Sequence, residues 1–105
     1  MRLVNAPMGT LDLSADAHTA PFNVETDYIY SVQGVITGTA TGSASLFASN
    51  DGVHFSEVAN SALAVTGAGT VMWNVTLAGY KWVQVEYTRT ANSGSMVLTI
   101  EAKGI

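Results

Sequence analysis

Hydrophobic and polar residues alternate along most of the chain with a period of two, and no run shows a helical stripe. In the last run, for example, Met96, Leu98 and Ile100 alternate with the polar residues Thr99 and Glu101. Such alternation is typical of a β-strand that turns one face to a core and the other to solvent. The clearest runs predict strands at residues 28–37, 43–49, 70–77, 82–90 and 95–103.

Turn-forming residues separate these runs. Asn50-Asp51-Gly52 predicts a hairpin between 43–49 and 53–58, because Asp-Gly tolerates the positive φ of a tight turn. Asn92-Ser93-Gly94 predicts a second hairpin, which joins 82–90 to 95–103. Further glycine-containing breaks lie at 38–42, 67–69 and 78–79.

The spacing of these runs and turns predicts the fold. Short strands that recur about every ten residues are typical of sandwiches and jelly rolls. We therefore expect an all-β fold, an antiparallel β-sandwich or jelly-roll-like architecture of seven or eight short strands, in one domain over residues 1–105. The segment 1–24 has the least regular pattern and contains Pro7 and Pro21, so we expect an irregular N-terminal arm or an edge strand there.

Several large apolar side chains fall on the faces that the alternation turns outward. A contiguous group of such residues marks a contact site, and aromatic residues and methionine are enriched at interfaces between proteins. We therefore predict a contact between subunits, with loops or the N-terminal segment folding over these residues as the alternative. The candidates are Phe47, Met72, Trp82, Ile29, Val35 and Val97.

Charged residues are scarce in this chain, and their scarcity restricts the partners that it can bind. Only 11% of the residues are charged, against about 25% in ordinary soluble domains, and the formal net charge is −4. The four basic residues are scattered, so we expect no binding to nucleic acid or to an anionic membrane. Low charge fits either a secreted domain with a neutral polar surface or a subunit covered by its neighbours.

The sequence predicts no targeting segment, no membrane span and no thiol chemistry. The chain has no cysteine, which excludes disulfides, thiolate metal sites and a cysteine nucleophile. The apolar stretch after Arg2 ends at Pro7 and is too short for a signal peptide. No stretch reaches the roughly 18 apolar residues that a membrane span requires.

The candidate catalytic residues are few. Ser49, Asp51, His54 and Ser56 crowd one predicted hairpin, but a turn offers little shelter from solvent and no glycine-flanked serine resembles a nucleophile elbow. His54 is expected to be a solvent-facing strand residue. Neither histidine has ligand spacing, and the carboxylates are spread singly. We therefore expect no enzyme activity, no catalytic residue, no cofactor and no metal ion.

Carbohydrate binding is the alternative function. β-Sandwich modules stack an exposed aromatic ring on a sugar and place amide or carboxylate groups beside it. Trp82, with Asn50 and Gln84, could form such a glycan contact.

Three stretches of the chain resemble a known family. They are Leu46-Phe47-Ala48-Ser49-Asn50-Asp51-Gly52-Val53-His54-Phe55, then Lys81-Trp82-Val83-Gln84-Val85-Glu86-Tyr87-Thr88, then Gly94-Ser95-Met96-Val97-Leu98-Thr99-Ile100. Their order resembles small β-sandwich structural proteins of bacteriophage virions, over about residues 43–103. Phe55 stands where tryptophan is usual in that pattern, and Gln84 stands where arginine is common. The Ser-Asn-Asp-Gly element followed by an aromatic residue also occurs in discoidin-type and carbohydrate-binding sandwiches.

The resemblance implies a function and a location. It implies a structural protein of the virion, in the capsid shell, in head decoration or in the tail. Such a protein is expected to form a homo-oligomer and to contact other virion proteins.

Overall fold

A computed structural model describes residues 2–27, 29–76 and 78–104. Tyr28 and Leu77, which the pattern places in the predicted strands 28–37 and 70–77, lie outside the described residues. The described residues contain ten β-strands and no helix that could span a membrane. The strands are β1 (Arg2–Asp12), β2 (Ala17–His18), β3 (Phe22–Asn23), β4 (Ile29–Gly38), β5 (Thr41–Ser49), β6 (Ser56–Glu57), β7 (Leu63–Thr66), β8 (Gly69–Val75), β9 (Trp82–Ala91) and β10 (Gly94–Gly104).

The strands form two antiparallel sheets that pack as a β-sandwich, which confirms the predicted fold class. In the four-strand sheet the order is β1-β10-β4-β8. In the six-strand sheet, β9 pairs with β2 and β3 on one side and with β5 on the other, and β5 also pairs with β6 and β7. The described strands outnumber the predicted seven or eight because β2, β3 and β6 have two residues each. Two residues are too few to show an alternation in the sequence.

The core of the sandwich holds the inward-facing side chains of both sheets. In β10, Met96, Leu98 and Ile100 are fully buried, whereas Val97 between them is exposed. Leu46 on β5 is equally buried from the opposite sheet. Burial of one such side chain stabilises the fold by roughly 1.5–3 kcal/mol. The period-two pattern therefore reflects which residues the two sheets enclose between them.

The N-terminal segment supplies an edge of the four-strand sheet. β1 pairs with β10 alone, and the register between them shifts between Pro7 and Gly9. Proline is tolerated on an edge strand, where a missing N–H interrupts no central ladder. The rest of the segment forms β2 and β3, which Pro21 separates.

The predicted hairpin at Asn50-Asp51-Gly52 is confirmed. β5 and β6 pair on either side of it, with Phe47 opposite Glu57. Gly52 has a φ of +77°, the left-handed conformation for which glycine is favoured.

The second predicted hairpin, at Asn92-Ser93-Gly94, is wrong. β9 belongs to the six-strand sheet and β10 to the four-strand sheet, so these residues carry the chain from one sheet to the other. Both edges of β10 are occupied, by β1 and β4, which leaves no edge for β9. Asn92 does adopt a positive φ of 64°. The motif thus identifies a turn, whereas strand pairing decides where the turn leads.

Candidate functional site

Four of the six predicted contact residues share one surface, the outer face of the four-strand sheet. Val97 lies directly opposite Val35 across the β10–β4 pair, and Met72 follows on the neighbouring strand β8, opposite Gln33. Ile29 lies on the same face towards one end. The exposed fractions are 37% for Ile29, 46% for Val35, 54% for Met72 and 48% for Val97.

Neutral side chains surround these apolar residues. Along the middle of the face, Thr10 pairs with Val97, Thr70 pairs with Val35, and Thr99 pairs with Gln33. Charge lies towards both ends of the face: Glu101 pairs with Ser31 and Lys103 with Ile29 at one end, and Asp12 pairs with Ser95 at the other. The middle of the face is therefore a surface of valine, methionine, threonine and glutamine side chains.

The other two predicted contact residues, Phe47 and Trp82, lie on the opposite sheet. Phe47 is half-buried on β5, where it pairs with Gln84 on one side and Glu57 on the other. Trp82 is half-buried because its ring lies against the β5–β6 turn: a Cβ at Gly52 would be 3.2 Å from Trp82 Nε1. The structure therefore does not bring Phe47 and Trp82 together with the other four residues.

The predicted glycan residues are also placed differently from one another. Gln84 is 5% exposed, and its Nε2 donates a hydrogen bond to Glu86 Oε2 at 2.8 Å. The Nζ of Lys81 lies 5.8 Å from the centroid of the Trp82 ring, a cation–π distance. Asn50 is exposed at the tip of the β5–β6 turn. Of the three, Asn50 offers an accessible polar side chain, whereas Gln84 has little surface left for a ligand.

An open groove of about 490 Å³ runs beside the β5–β6 turn. Asn50, Asp51, His54 and Glu57 contribute polar groups to its lining, and Tyr80 contributes an aromatic ring. The Tyr80 hydroxyl is hydrogen-bonded to the hydroxyl of the buried Tyr30, and burial raises the pKa of both phenols. Sequence reasoning missed Tyr80. Its only signal is its position directly after the Ala78-Gly79 break.

Asp51 organises the turn that borders this groove. Its Oδ1 accepts hydrogen bonds from the backbone amides of Val53 and His54, at 2.9 and 2.8 Å, and from the Ser49 hydroxyl at 2.8 Å. Its Oδ2 accepts a hydrogen bond from His54 Nδ1 at 2.8 Å. These hydrogen bonds, that of the His54 backbone amide first, hold the pKa of the Asp51 carboxyl well below its usual range.

This cluster does not have the order of a nucleophilic triad. A triad places the histidine between the serine and the acid, so that the imidazole can take the hydroxyl proton. Here the acid lies between Ser49 and His54, and the Ser49 hydroxyl donates to Asp51. His54 is exposed as predicted, but its predicted position in a strand is wrong, because it lies in the loop before β6. The cluster stabilises the turn.

The remaining titratable groups form no further site among the described residues. His18 is exposed, and its Nδ1 lies 2.9 Å from the carbonyl oxygen of Thr19. Within the described ranges, no three histidine, aspartate or glutamate side chains converge as metal ligands would.

Comparison with known proteins places the fold but not a family. No protein-family model matches this chain. No curated protein matches it either. The fold is shared with the PBSX exported protein XepA, at a TM-score of 0.71 and 12% identity, over 97% of this chain and 37% of that chain. The chain thus spans little more than a third of XepA.

Two further solved structures resemble the chain over most of their own length. The SPBc2 prophage-derived protein YomS has a TM-score of 0.64 and 13% identity, with 97% of this chain and 94% of that chain covered. A structure of Bacillus endospore appendages, described as disulfide-linked pili, has a TM-score of 0.54 and 21% identity, with coverages of 98% and 89%. At these identities the likeness establishes a shared β-sandwich fold.

Proposed function

We propose that this protein is a non-enzymatic structural subunit of a bacteriophage particle, located in the capsid, the head decoration or the tail. It acts by binding further copies of itself and other virion proteins. The observation that carries this proposal is the outer face of the four-strand sheet, where Val35, Met72 and Val97 lie exposed among neutral side chains.

The chemistry of this face suits contact with protein. Apolar residues rimmed by polar ones mark surfaces that other proteins cover. Interface cores are depleted of charge, and the middle of this face carries threonine and glutamine where charged residues would hinder burial. The outer face of a sheet is also one surface that many identical copies can use by symmetry.

Two independent likenesses support the phage assignment. The motif over residues 43–103 resembles phage structural proteins, and it is carried by short stretches of sequence. The fold likeness, which rests on the backbone, extends to a protein named as prophage-derived over nearly the whole length of both chains. A third structure with this fold forms pili, which are assemblies of many subunits.

The polar cluster at the β5–β6 turn supports the non-enzymatic part of the proposal. Every oxygen of the Asp51 carboxylate is engaged within the turn. The Ser49 hydroxyl also accepts hydrogen bonds from the amides of Asp51 and Gly52, at 3.2 and 2.9 Å. These groups hold the loop in shape, and the Ser49 hydroxyl donates to a carboxylate of lowered pKa and not to the imidazole that a triad requires.

The experiment is a comparison of native mass by light scattering on a sizing column. We expect the wild-type chain to form assemblies several times the 11.0 kDa chain mass. The double variant Val35→Ser, Val97→Ser should form smaller ones, because it removes two exposed valines from the face. Val53→Ser is the matched control, since Val53 is exposed in the β5–β6 loop outside this face. A wild-type protein that stays monomeric, or equal losses in both variants, would contradict the proposal.

Carbohydrate binding is the second candidate, and the groove beside Tyr80 is the observation that favours it. An aromatic ring next to exposed amide, imidazole and carboxylate groups is a combination that sugar sites use. Titration with a panel of oligosaccharides, followed by NMR, should shift resonances of Asn50 and Tyr80 if this function is present. Asn50→Ala should then abolish the shifts. Absence of shifts across the panel would remove this candidate.

A further inference from the structure

Charge is distributed unevenly along the chain and across the sandwich. None of the eight acidic and four basic residues lies within 28–50 or 58–80, and neither histidine does. These two ranges supply β4 and β8 of the four-strand sheet, with β5 and β7 of the six-strand sheet. The four strands therefore carry no charged residue of their own, and the nearest charged strand is β6, which contains Glu57 and also pairs with β5.

The two uncharged strand pairs lie on the same side of the sandwich. β7 and β8 are joined by two residues only, Gly67 and Ala68, as the chain crosses between sheets. The indole Nε1 of Trp73 on β8 donates to the carbonyl oxygen of Ser61 at 2.6 Å. A groove of about 200 Å³ lies between β8 and the loop that contains Ser61. Four residues of β8, from Met72 to Val75, line that groove.

β8 is also the least protected edge of the sandwich. Natural sheets protect their edges with proline, bulges, charge or very short strands. β1 carries Pro7 and a register shift, β2 and β3 have two residues each, and β6 is equally short and contains Glu57. β7 has four residues. β8 has seven residues in regular register with β4, and none is proline or charged.

We propose that β8 pairs antiparallel with β8 of a second copy across a two-fold axis, which joins two four-strand sheets into one. This inference rests on the proposed self-assembly and names the edge through which it begins. The unpaired N–H and C=O groups of an edge strand are satisfied by another strand. A second copy is the occupant that the charges favour, because chains of net charge −4 repel one another except where they meet through uncharged surface.

Full overlap fixes the register of the proposed pair. Met72 is the central residue of β8, so an antiparallel pair of complete strands places Met72 opposite Met72 of the second copy. Thr70 then lies opposite Asn74, on the same exposed face. Val71 lies opposite Trp73 on the inner face. The exposed Met72 side chains pack against each other at the axis.

The experiment uses the Val35→Ser, Val97→Ser chain, in which contacts through the face are weakened and the β8 edge is intact. We expect this chain to be a dimer, with twice the mass of 11.0 kDa. Adding Met72→Lys or Met72→Glu should each raise the dissociation constant by roughly tenfold or more, because like charges then meet at the axis. Mixing the two charged variants should restore the dimer. Val53→Lys is the control and should leave the mass unchanged.

A cysteine placed at the axis provides a second readout. The natural chain has no cysteine, so any disulfide must join two copies. Met72→Cys should cross-link on mild oxidation, because opposed residues of paired strands lie within disulfide reach. Cross-linking of Val97→Cys instead would show stacked faces and overturn the edge pairing while leaving the proposed function standing. If the Val35→Ser, Val97→Ser chain is monomeric while the wild type is oligomeric, the edge pairing is likewise overturned and the proposed function still stands.

Discussion

Trp73 holds together the part of the core where β8 meets the loop that precedes β7. Its side chain is 5% exposed, and its Nε1 donates to the carbonyl oxygen of Ser61 at 2.6 Å. The Ser61 hydroxyl in turn donates to the carbonyl oxygen of Val58 at 2.7 Å. We predict that Trp73→Ala lowers the free energy of unfolding by about 3–5 kcal/mol, since it empties the largest side chain from a packed site. A small domain has only about 5–15 kcal/mol to lose.

Trp73→Phe separates packing from hydrogen bonding. The phenyl ring retains most of the apolar contact but cannot donate to the Ser61 carbonyl, which costs about 1–3 kcal/mol for an unsatisfied buried group. Urea unfolding followed by far-ultraviolet circular dichroism measures both variants, at one low protein concentration because association would add apparent stability. If Trp73→Ala costs no more than Trp73→Phe, the ring is not packed in the core, and the inner face of β8 is assigned wrongly.

Three further predictions concern the turn and the tyrosine pair. Because folding lowers the pKa of Asp51, its hydrogen bonds stabilise the protein above the ordinary carboxyl value of about 3.9, and this contribution is lost as the pH falls through the lower folded-state value. Asp51→Asn should flatten the acid side of a plot of urea midpoint against pH, and an unchanged acid side would refute this. Tyr80→Phe removes the hydroxyl that is hydrogen-bonded to buried Tyr30 and should lower the free energy of unfolding by about 1–3 kcal/mol. The double variant Tyr30→Phe, Tyr80→Phe should lose less than the sum of the two single variants, and additive losses would contradict this coupling. Gly52→Ala should cost about 1–3 kcal/mol, because alanine is strained at a φ of +77° and its Cβ would lie 3.2 Å from Trp82 Nε1; an unchanged melting temperature would count against it.

The alternation of side chains was sufficient to predict the fold class and the inner and outer faces of β4, β8 and β10, but not the long strand β1 or the burial of Gln84 on β9. β10 shows why: each residue of Met96 to Ala102 is buried or exposed according to its parity. The same parity placed Val35 and Val97 outside. Parity is a local property, so it can be found without knowledge of the partner strands.

The features that failed depend on contacts between distant parts of the chain. The turn after β9 could not be assigned to a crossing between sheets until β1 and β4 were known to occupy both edges of β10. The contact between the Trp82 ring and the β5–β6 turn likewise depends on distant residues, whereas the predicted contact of Trp82 with another subunit stays a prediction. The uncharged residues are visible as two stretches of sequence, yet their place in the fold follows only once β4 is known to pair with β8, and β5 with β7.

Hydrogen exchange of the wild-type chain, compared between dilute and concentrated solution, tests most directly whether this protein assembles through the uncharged edge strand β8. Mass spectrometry reports the exchange of each strand separately. Peptides from β8 should exchange more slowly at high concentration, because a second copy then pairs with their amides, while peptides from the protected edge β1 should be unchanged. Equal exchange at both concentrations, or protection of β1 in place of β8, would contradict the account.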